Sequence, residues 1–113
     1  MIEPFHAQVR QYEGKTIIDL HGEINGQVET DLNAAYQQAE SRSPSTILLN
    51  FSDSNYINST GIALIVGLLA KARRDKRQLV VFGLSEHYQE IFSITRLADF
   101  MNIFPDEVSA LQS

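Results

Sequence analysis

Apolar and polar residues change period several times along this chain, and each change marks an element. The segments Phe5 to Tyr12 and Thr16 to Leu20 alternate on either side of Glu13-Gly14-Lys15, which predicts an antiparallel hairpin. After the turn-prone Asn25-Gly26, the residues Val28, Leu32, Ala35, Tyr36 and Ala39 recur at helical spacing and predict an amphipathic helix. It ends near Ser41-Arg42-Ser43-Pro44, because proline disfavours helical geometry in the residue before it and cannot extend the helical hydrogen-bond ladder.

Thr46 to Phe51 is an almost unbroken apolar run, the pattern of a strand buried on both faces in the middle of a sheet. A polar stretch from Ser52 to Asn58 leads into a helix over Ser59 to Arg74, and Gln78 to Phe82 reads as another buried strand closed by Gly83. Ser85 is placed to cap a helix from Glu86 to about Ile94. A short strand near Met101 to Phe104 and a last turn from Pro105 follow. Strand, helix, strand in succession implies parallel crossovers. The expectation is an α/β fold: a mixed, mostly parallel sheet of about five strands with helices packed against it, in one domain spanning residues 1–113.

Composition narrows the class. The 113 residues are 43% hydrophobic and 20% charged, which suits one ordered domain and leaves no low-complexity stretch. Absence of cysteine excludes disulfides, thiolate metal sites and a cysteine nucleophile, and fits a reducing compartment. Met1 to Arg10, with Glu3, Pro4 and His6, lacks the basic and apolar regions of a signal peptide, so a cytoplasmic location is expected. The longest apolar run, Gly61 to Ala70, is about half the roughly 20 residues that cross a bilayer, so no membrane insertion is expected. A net charge of −5 argues against direct nucleic-acid binding.

Few residues offer catalytic chemistry. His6, His21 and His87 are scattered, none at a ligand-pair spacing on a helix, so neither a metal site nor a cofactor is expected. Glu23 and Asp53 could meet across two loops, but no nucleophile, base and orienting group come with them. The cluster from Lys71 to Arg77 reads as the solvated end of a helix, where cations complement its dipole. Asn58, Ser59 and Thr60 are all helix-capping residue types, and a plain cap is one reading of them. In the helix that follows, Ile62, Ile65, Val66 and Leu69 form one apolar face. Leu64 and Leu68 lie toward its side, either under neighbouring segments or as part of an exposed patch that takes in Tyr56.

The region Leu48 to Ala70 resembles the signature of STAS domains of the anti-sigma factor antagonist family: a buried strand, a polar loop, then Asp-Ser-Ser/Thr-Gly opening an apolar helix. Here the tetrad is Asn58-Ser59-Thr60-Gly61. Gly22-Glu23-Ile24-Asn25, Leu79 to Gly83, Ile91-Phe92, Leu97, Ile103-Phe104 and Glu107 to Leu111 extend the resemblance over nearly the whole chain. The resemblance implies a non-enzymatic regulatory protein that binds a serine-kinase anti-sigma factor or a related regulatory protein and is phosphorylated at Ser59. It also implies a partner surface drawn from Asn25, Asp53, Tyr56, Asn58, Thr60, Gly61, Leu64 and Leu68. This sequence departs from the family at Asn25 and Asn58, where the family carries acids. That departure leaves room for a constitutive scaffold or accessory subunit of a signalling or lipid-transport complex, and self-association is left open.

Overall fold

The computed structural model describes residues 4–112. Five strands lie side by side in chain order: β1 (His6–Tyr12), β2 (Lys15–His21), β3 (Thr46–Asp53), β4 (Gln78–Phe82) and β5 (Asn102–Phe104). The β1–β2 hairpin is antiparallel and every later pairing is parallel, so the expected mixed sheet is present. Its helices are α1 (Glu29–Glu40), α2 (Ser59–Arg74), α3 (Glu86–Ile94) and α4 (Glu107–Leu111).

This topology decides which face is covered. The strands advance in one direction across the sheet, and crossovers of one hand stepping one way place their helices on the same face. Accordingly α1, α2 and α3 share a core with Ile18, Leu20, Ile47, Leu49, Phe51, Leu79 and Val81. On the opposite face Ile17, Leu48, Val80 and Phe82 pack against Ala110 of α4, with Phe104 and Leu111 at the margin. Strands covered on both sides carry apolar residues at successive positions, which is why 46–51 shows no alternation.

Element ends differ slightly from the expected ones. β3 runs on through Ser52 to Asp53 instead of ending at Phe51, because a register shift in its pairing with β2 sets Asp53 opposite His21. The first helix is preceded by a single 3-10 turn, Gly26–Val28. The final turn is a short helix whose cap is Asp106, with its side chain accepting from the Ser109 amide. The basic cluster is also less solvated than expected. Arg77 donates to the Pro44 carbonyl at 2.8 Å with its side chain only 13% exposed, Lys71 reaches Asn33 Oδ1 at 3.2 Å, and the Arg73 guanidinium lies over the Phe100 ring at 5.0 Å.

A polar network ties the second face together. Arg10 on β1 donates Nε and Nη2 to the Asp19 carboxylate on β2 at 2.6 and 2.9 Å, Asn50 on β3 donates to Asp19 Oδ1 at 2.8 Å, and Arg10 also reaches Glu107 of α4 at 2.7 Å. Burial pushes the Asp19 carboxyl up, but the hydrogen bonds from Arg10 and Asn50 outweigh it and hold the group below its ordinary value. Because the folded value is depressed, the stabilisation is complete above the unfolded value of about 3.9 and is lost as pH falls through the folded one. Asp19→Asn is therefore expected to cost about 1–2 kcal/mol at neutral pH, towards the lower figure because Arg10 is 42% exposed, and to flatten the loss of stability in acid. Urea midpoints measured from neutral pH into the acid range check both effects.

Candidate functional site

The candidate site lies where the chain leaves the carboxyl ends of β2 and β3. Two loops follow these strands, and they zip together before their helices begin. The Gly22 amide donates to the Asp53 carbonyl at 3.1 Å, and Ser54 Oγ donates to the Gly22 carbonyl at 2.7 Å. The Ile24 amide donates to the Tyr56 carbonyl at 2.9 Å, and the Asn58 amide donates to the Ile24 carbonyl at 3.1 Å. Ile24 and Ile57 thus form a parallel bridge beyond the sheet, with both side chains buried. Tyr88 of α3 fixes the bridge from the other side: its hydroxyl accepts from the Ile57 amide at 2.9 Å.

Helix α2 starts directly on this frame. Asn58 has extended geometry, and its Oδ1 accepts from the Gly61 amide at 2.8 Å, which makes it the N-cap as its residue type suggests. Ser59 is then the first residue of the helix, exposed, and its hydroxyl makes no hydrogen bond among the described residues. At such a position the first-turn amides lack helical acceptors, and the helix dipole favours negative charge. Asn58→Ala is expected to cost about 1 kcal/mol through loss of the cap, whereas Asn58→Asp keeps the cap and should hold or slightly raise stability. Thermal unfolding of the two variants beside the parent distinguishes them.

The structure sorts the residues expected at the partner surface. Asn25 caps the 3-10 turn, with its Oδ1 accepting from the Gln27 amide at 2.9 Å. The turn's Gly26 sits against Thr60, so the Asn25 and Ser59 segments form one continuous surface. Tyr56 is 52% exposed beside it, and Thr60 is exposed. Asp53 belongs to β3 instead of the loop and lies 3.2 Å from His21 Nδ1. Leu64 is half-buried against the main core.

Two corrections concern α2. Leu68 is 1% exposed and belongs to the core, so it is removed from the surface patch, while Val66, expected in the core, is 42% exposed. Gly61 is buried as well and serves packing. A Cβ there would collide with the Ile24 carbonyl oxygen and would lie 2.9 Å from its carbon and 3.0 Å from Ile57 Cγ2. The helix is apolar nearly all round, so its sequence alone does not select the phase that faces the sheet. The buried set Gly61, Ile65, Leu68, Leu69 and Ala72 follows from where the loop frame starts it.

The histidines also differ from expectation. His6 and His21 are cross-strand partners in the hairpin, with rings stacked at 4.3 Å, so two of the three scattered positions meet in space. Even so, no group of three or more metal-ligating side chains occurs among the described residues. Glu23 and Asp53 are each engaged elsewhere, Glu23 with Asn25 Nδ2 at 3.4 Å and Asp53 with His21. Of the residues that build the frame, Ser54 and Tyr88 were not singled out by the sequence, and Ile24 stood out only within the Gly22-Glu23-Ile24-Asn25 segment of the family resemblance.

The sheet order and the capped, exposed serine at the helix start define a small α/β module with a polar loop surface at one end. The chain belongs to the STAS domain family, whose model matches residues 6–110. Among similar proteins, the anti-sigma-B factor antagonist of Listeria monocytogenes is 28% identical over 82 residues, covering 73% of this chain and 72% of that protein. The protein of the same description from Staphylococcus aureus is 33% identical over 57 residues, covering 50% and 53%. Among solved structures, an anti-sigma factor antagonist from Mycobacterium paratuberculosis superposes with a TM-score of 0.84 at 17% identity, covering 96% of this chain and 92% of that one. The antagonist SpoIIAA in its unphosphorylated form gives 0.72 at 16% identity, covering 94% of each. A sulfate transporter family protein from Wolinella succinogenes gives 0.79 at 16% identity, covering 91% and 86%. No helix among the described residues is long and apolar enough to cross a membrane.

Proposed function

We propose that this chain is a cytoplasmic, non-enzymatic regulator of the anti-sigma factor antagonist type. It binds a serine-kinase anti-sigma factor or a related regulatory protein through the surface of Asn25, Tyr56, Asn58 and Thr60, and phosphorylation of Ser59 releases that partner. The observation that carries this reading is the placement of Ser59: exposed, with its hydroxyl unengaged among the described residues, on the first turn of a capped helix that starts on the hydrogen-bonded loop frame. The similarity to anti-sigma-B factor antagonists supports the partner class, and a fold relative whose structure is described in a phosphorylated form supports the modification.

The physics is consistent with release. A phosphoserine adds roughly −1.5 to −2 charges, and the helix start tolerates that anion, worth about 0.3–1 kcal/mol through the dipole. No Lys or Arg lies between Lys15 and Arg42 or between Arg42 and Lys71, whereas Glu23, Glu29, Asp31 and Asp53 do. A docked partner would have to desolvate the new charge with no cation from this stretch to compensate.

Incubation with a candidate serine-kinase anti-sigma factor and ATP tests the reading. The expected result is phosphate on Ser59 of the parent, none on Ser59→Ala, and loss of the complex on modification. A partner captured equally by modified and unmodified protein would favour the second reading, a constitutive scaffold or accessory subunit. That reading draws on Asn25 and Asn58, which leave the surface without two acids that the family carries.

A further inference from the structure

We propose that the Asn25-Gly26 step is a site of spontaneous covalent modification, at which the Asn25 side-chain amide becomes a carboxylate through a cyclic imide formed with the Gly26 backbone nitrogen. In this reaction the amide nitrogen of the following residue attacks the asparagine Cγ. A side chain on that residue obstructs the approach, and Gly26 has none. Its amide makes no hydrogen bond among the described residues, and Gly26 itself is exposed.

The electrophile is also prepared. Asn25 Oδ1 accepts from the Gln27 amide at 2.9 Å, which folds the carboxamide over the following backbone and polarises its carbonyl. Negative charge that develops on Oδ1 during attack meets a donor already in place. The backbone that must adjust is a single 3-10 turn, Gly26–Val28, closed by the Val28 amide to the Asn25 carbonyl at 3.2 Å. Gly26 and Gln27 of this turn are exposed and only Val28 is buried, so the step that must move is held by few packing contacts. Asn25 further lines an open groove of about 440 Å³ with Pro4, Phe5, Glu23 and Asp31, so water reaches the imide.

The step balances without a cofactor. The Gly26 nitrogen loses its proton and bonds to Asn25 Cγ, the Cγ–Nδ2 bond breaks, and ammonia departs with that proton. Water then opens the five-membered imide. Cleavage of the Cγ–N bond gives aspartate, and cleavage of the bond to the Asn25 backbone carbonyl gives isoaspartate, in which the chain runs through Cγ. The aspartate product retains a capping oxygen and adds a negative charge next to Glu23.

The other asparagines serve as internal references. Asn58 has the same kind of cap, to the Gly61 amide at 2.8 Å, but is followed by Ser59 and a helix of 16 residues. Asn33 lies inside α1, and Asn50, Asn55 and Asn102 precede Phe51, Tyr56 and Ile103.

The folded protein, without any partner, is held at mildly alkaline pH in ¹⁸O-labelled water and digested with trypsin. Asn25 and Asn33 then fall in the fragment Thr16 to Arg42, and Asn50, Asn55 and Asn58 fall in Ser43 to Lys71. The expected result is amide-to-acid conversion at Asn25 several-fold faster than at any other asparagine, with ¹⁸O incorporated and both acid isomers present, assigned against Asn25→Asp as standard. Gly26→Ala should slow it several-fold. Its Cβ would stand 3.1 Å from Thr60 Cγ2, so its melting curve is recorded alongside, but the comparison within the parent protein needs no variant. Conversion at Asn58 as fast as at Asn25, or persistence of the Asn25 amide in the folded protein while the isolated Thr16 to Arg42 peptide converts, would overturn the proposal. No kinase or partner takes part, so the result stands apart from the Ser59 switch.

Discussion

Glycine-to-alanine substitutions at Gly61 and Gly67, both in α2, are expected to move stability in opposite directions. At Gly67 an added Cβ meets nothing within 4 Å and the residue is exposed, so Gly67→Ala should stabilise by up to about 1 kcal/mol through the reduced backbone entropy of the unfolded chain. At Gly61 the same methyl would run into the Ile24 carbonyl group, which is backbone and cannot rotate aside. That carbonyl accepts the Asn58 amide, so moving it strains the bridge between the two loops as well. Overpacking of this kind costs about 1–3 kcal/mol, and Gly61→Val, with a branched side chain in the same space, should lie at or above the top of that range. A domain this size is stable by about 5–15 kcal/mol, so Gly61→Val is expected to depress the melting temperature severely. Urea and thermal unfolding of Gly61→Ala, Gly61→Val and Gly67→Ala check the sign and the order. If Gly61→Ala were as stable as the parent, the close approach of α2 to the β2 loop would be wrong.

Ser59→Asp is expected to separate folding from binding. The carboxylate would stand on the first turn of α2, where the dipole favours an acid, so stability should hold or rise by about 0.3–1 kcal/mol. Binding to a serine-kinase anti-sigma partner should fall, because the new charge must be buried beside a stretch that supplies acids and no Lys or Arg. An uncompensated charge at an interface costs about 3 kcal/mol, or roughly a hundredfold in Kd. Ser59→Ala should bind as the parent does. Titration calorimetry or surface binding with the three proteins, paired with melting curves, reads both effects. A Ser59→Asp protein that is stable and binds undiminished would sink the release mechanism and leave the scaffold reading in possession of the surface.

Much of this architecture could be read from periodicity. The hairpin around Gly14, the unalternating strand at 46–51 and the start of α2 at Ser59 all lie where the pattern put them, because each depends on interactions between near neighbours in the chain. The cap at Asn58 was legible for the same reason: the accepting side chain and the donating Gly61 amide are only one helical turn apart. Ser59 itself stood out through its place in a motif, and its exposed position at the helix start is consistent with that.

The misplaced residues share a different cause. Val66 and Leu68 exchanged roles because a helix apolar on most sides has no preferred phase until a sheet is set against it. His6 and His21 met only through the register of the hairpin, and Tyr88 reached Ile57 from another helix altogether. Taken alone, the sequence determined which segments become strands and helices, where α2 is capped, and that acids and no Lys or Arg fill the two stretches carrying the loops. Tertiary structure decided that Ile24 and Ile57 join those loops into one frame, that Gly61 must be glycine, and that Asn25 and Ser59 share one surface. Local pattern reports each segment's own geometry, but contacts between distant segments exist only once the sheet has brought their ends together.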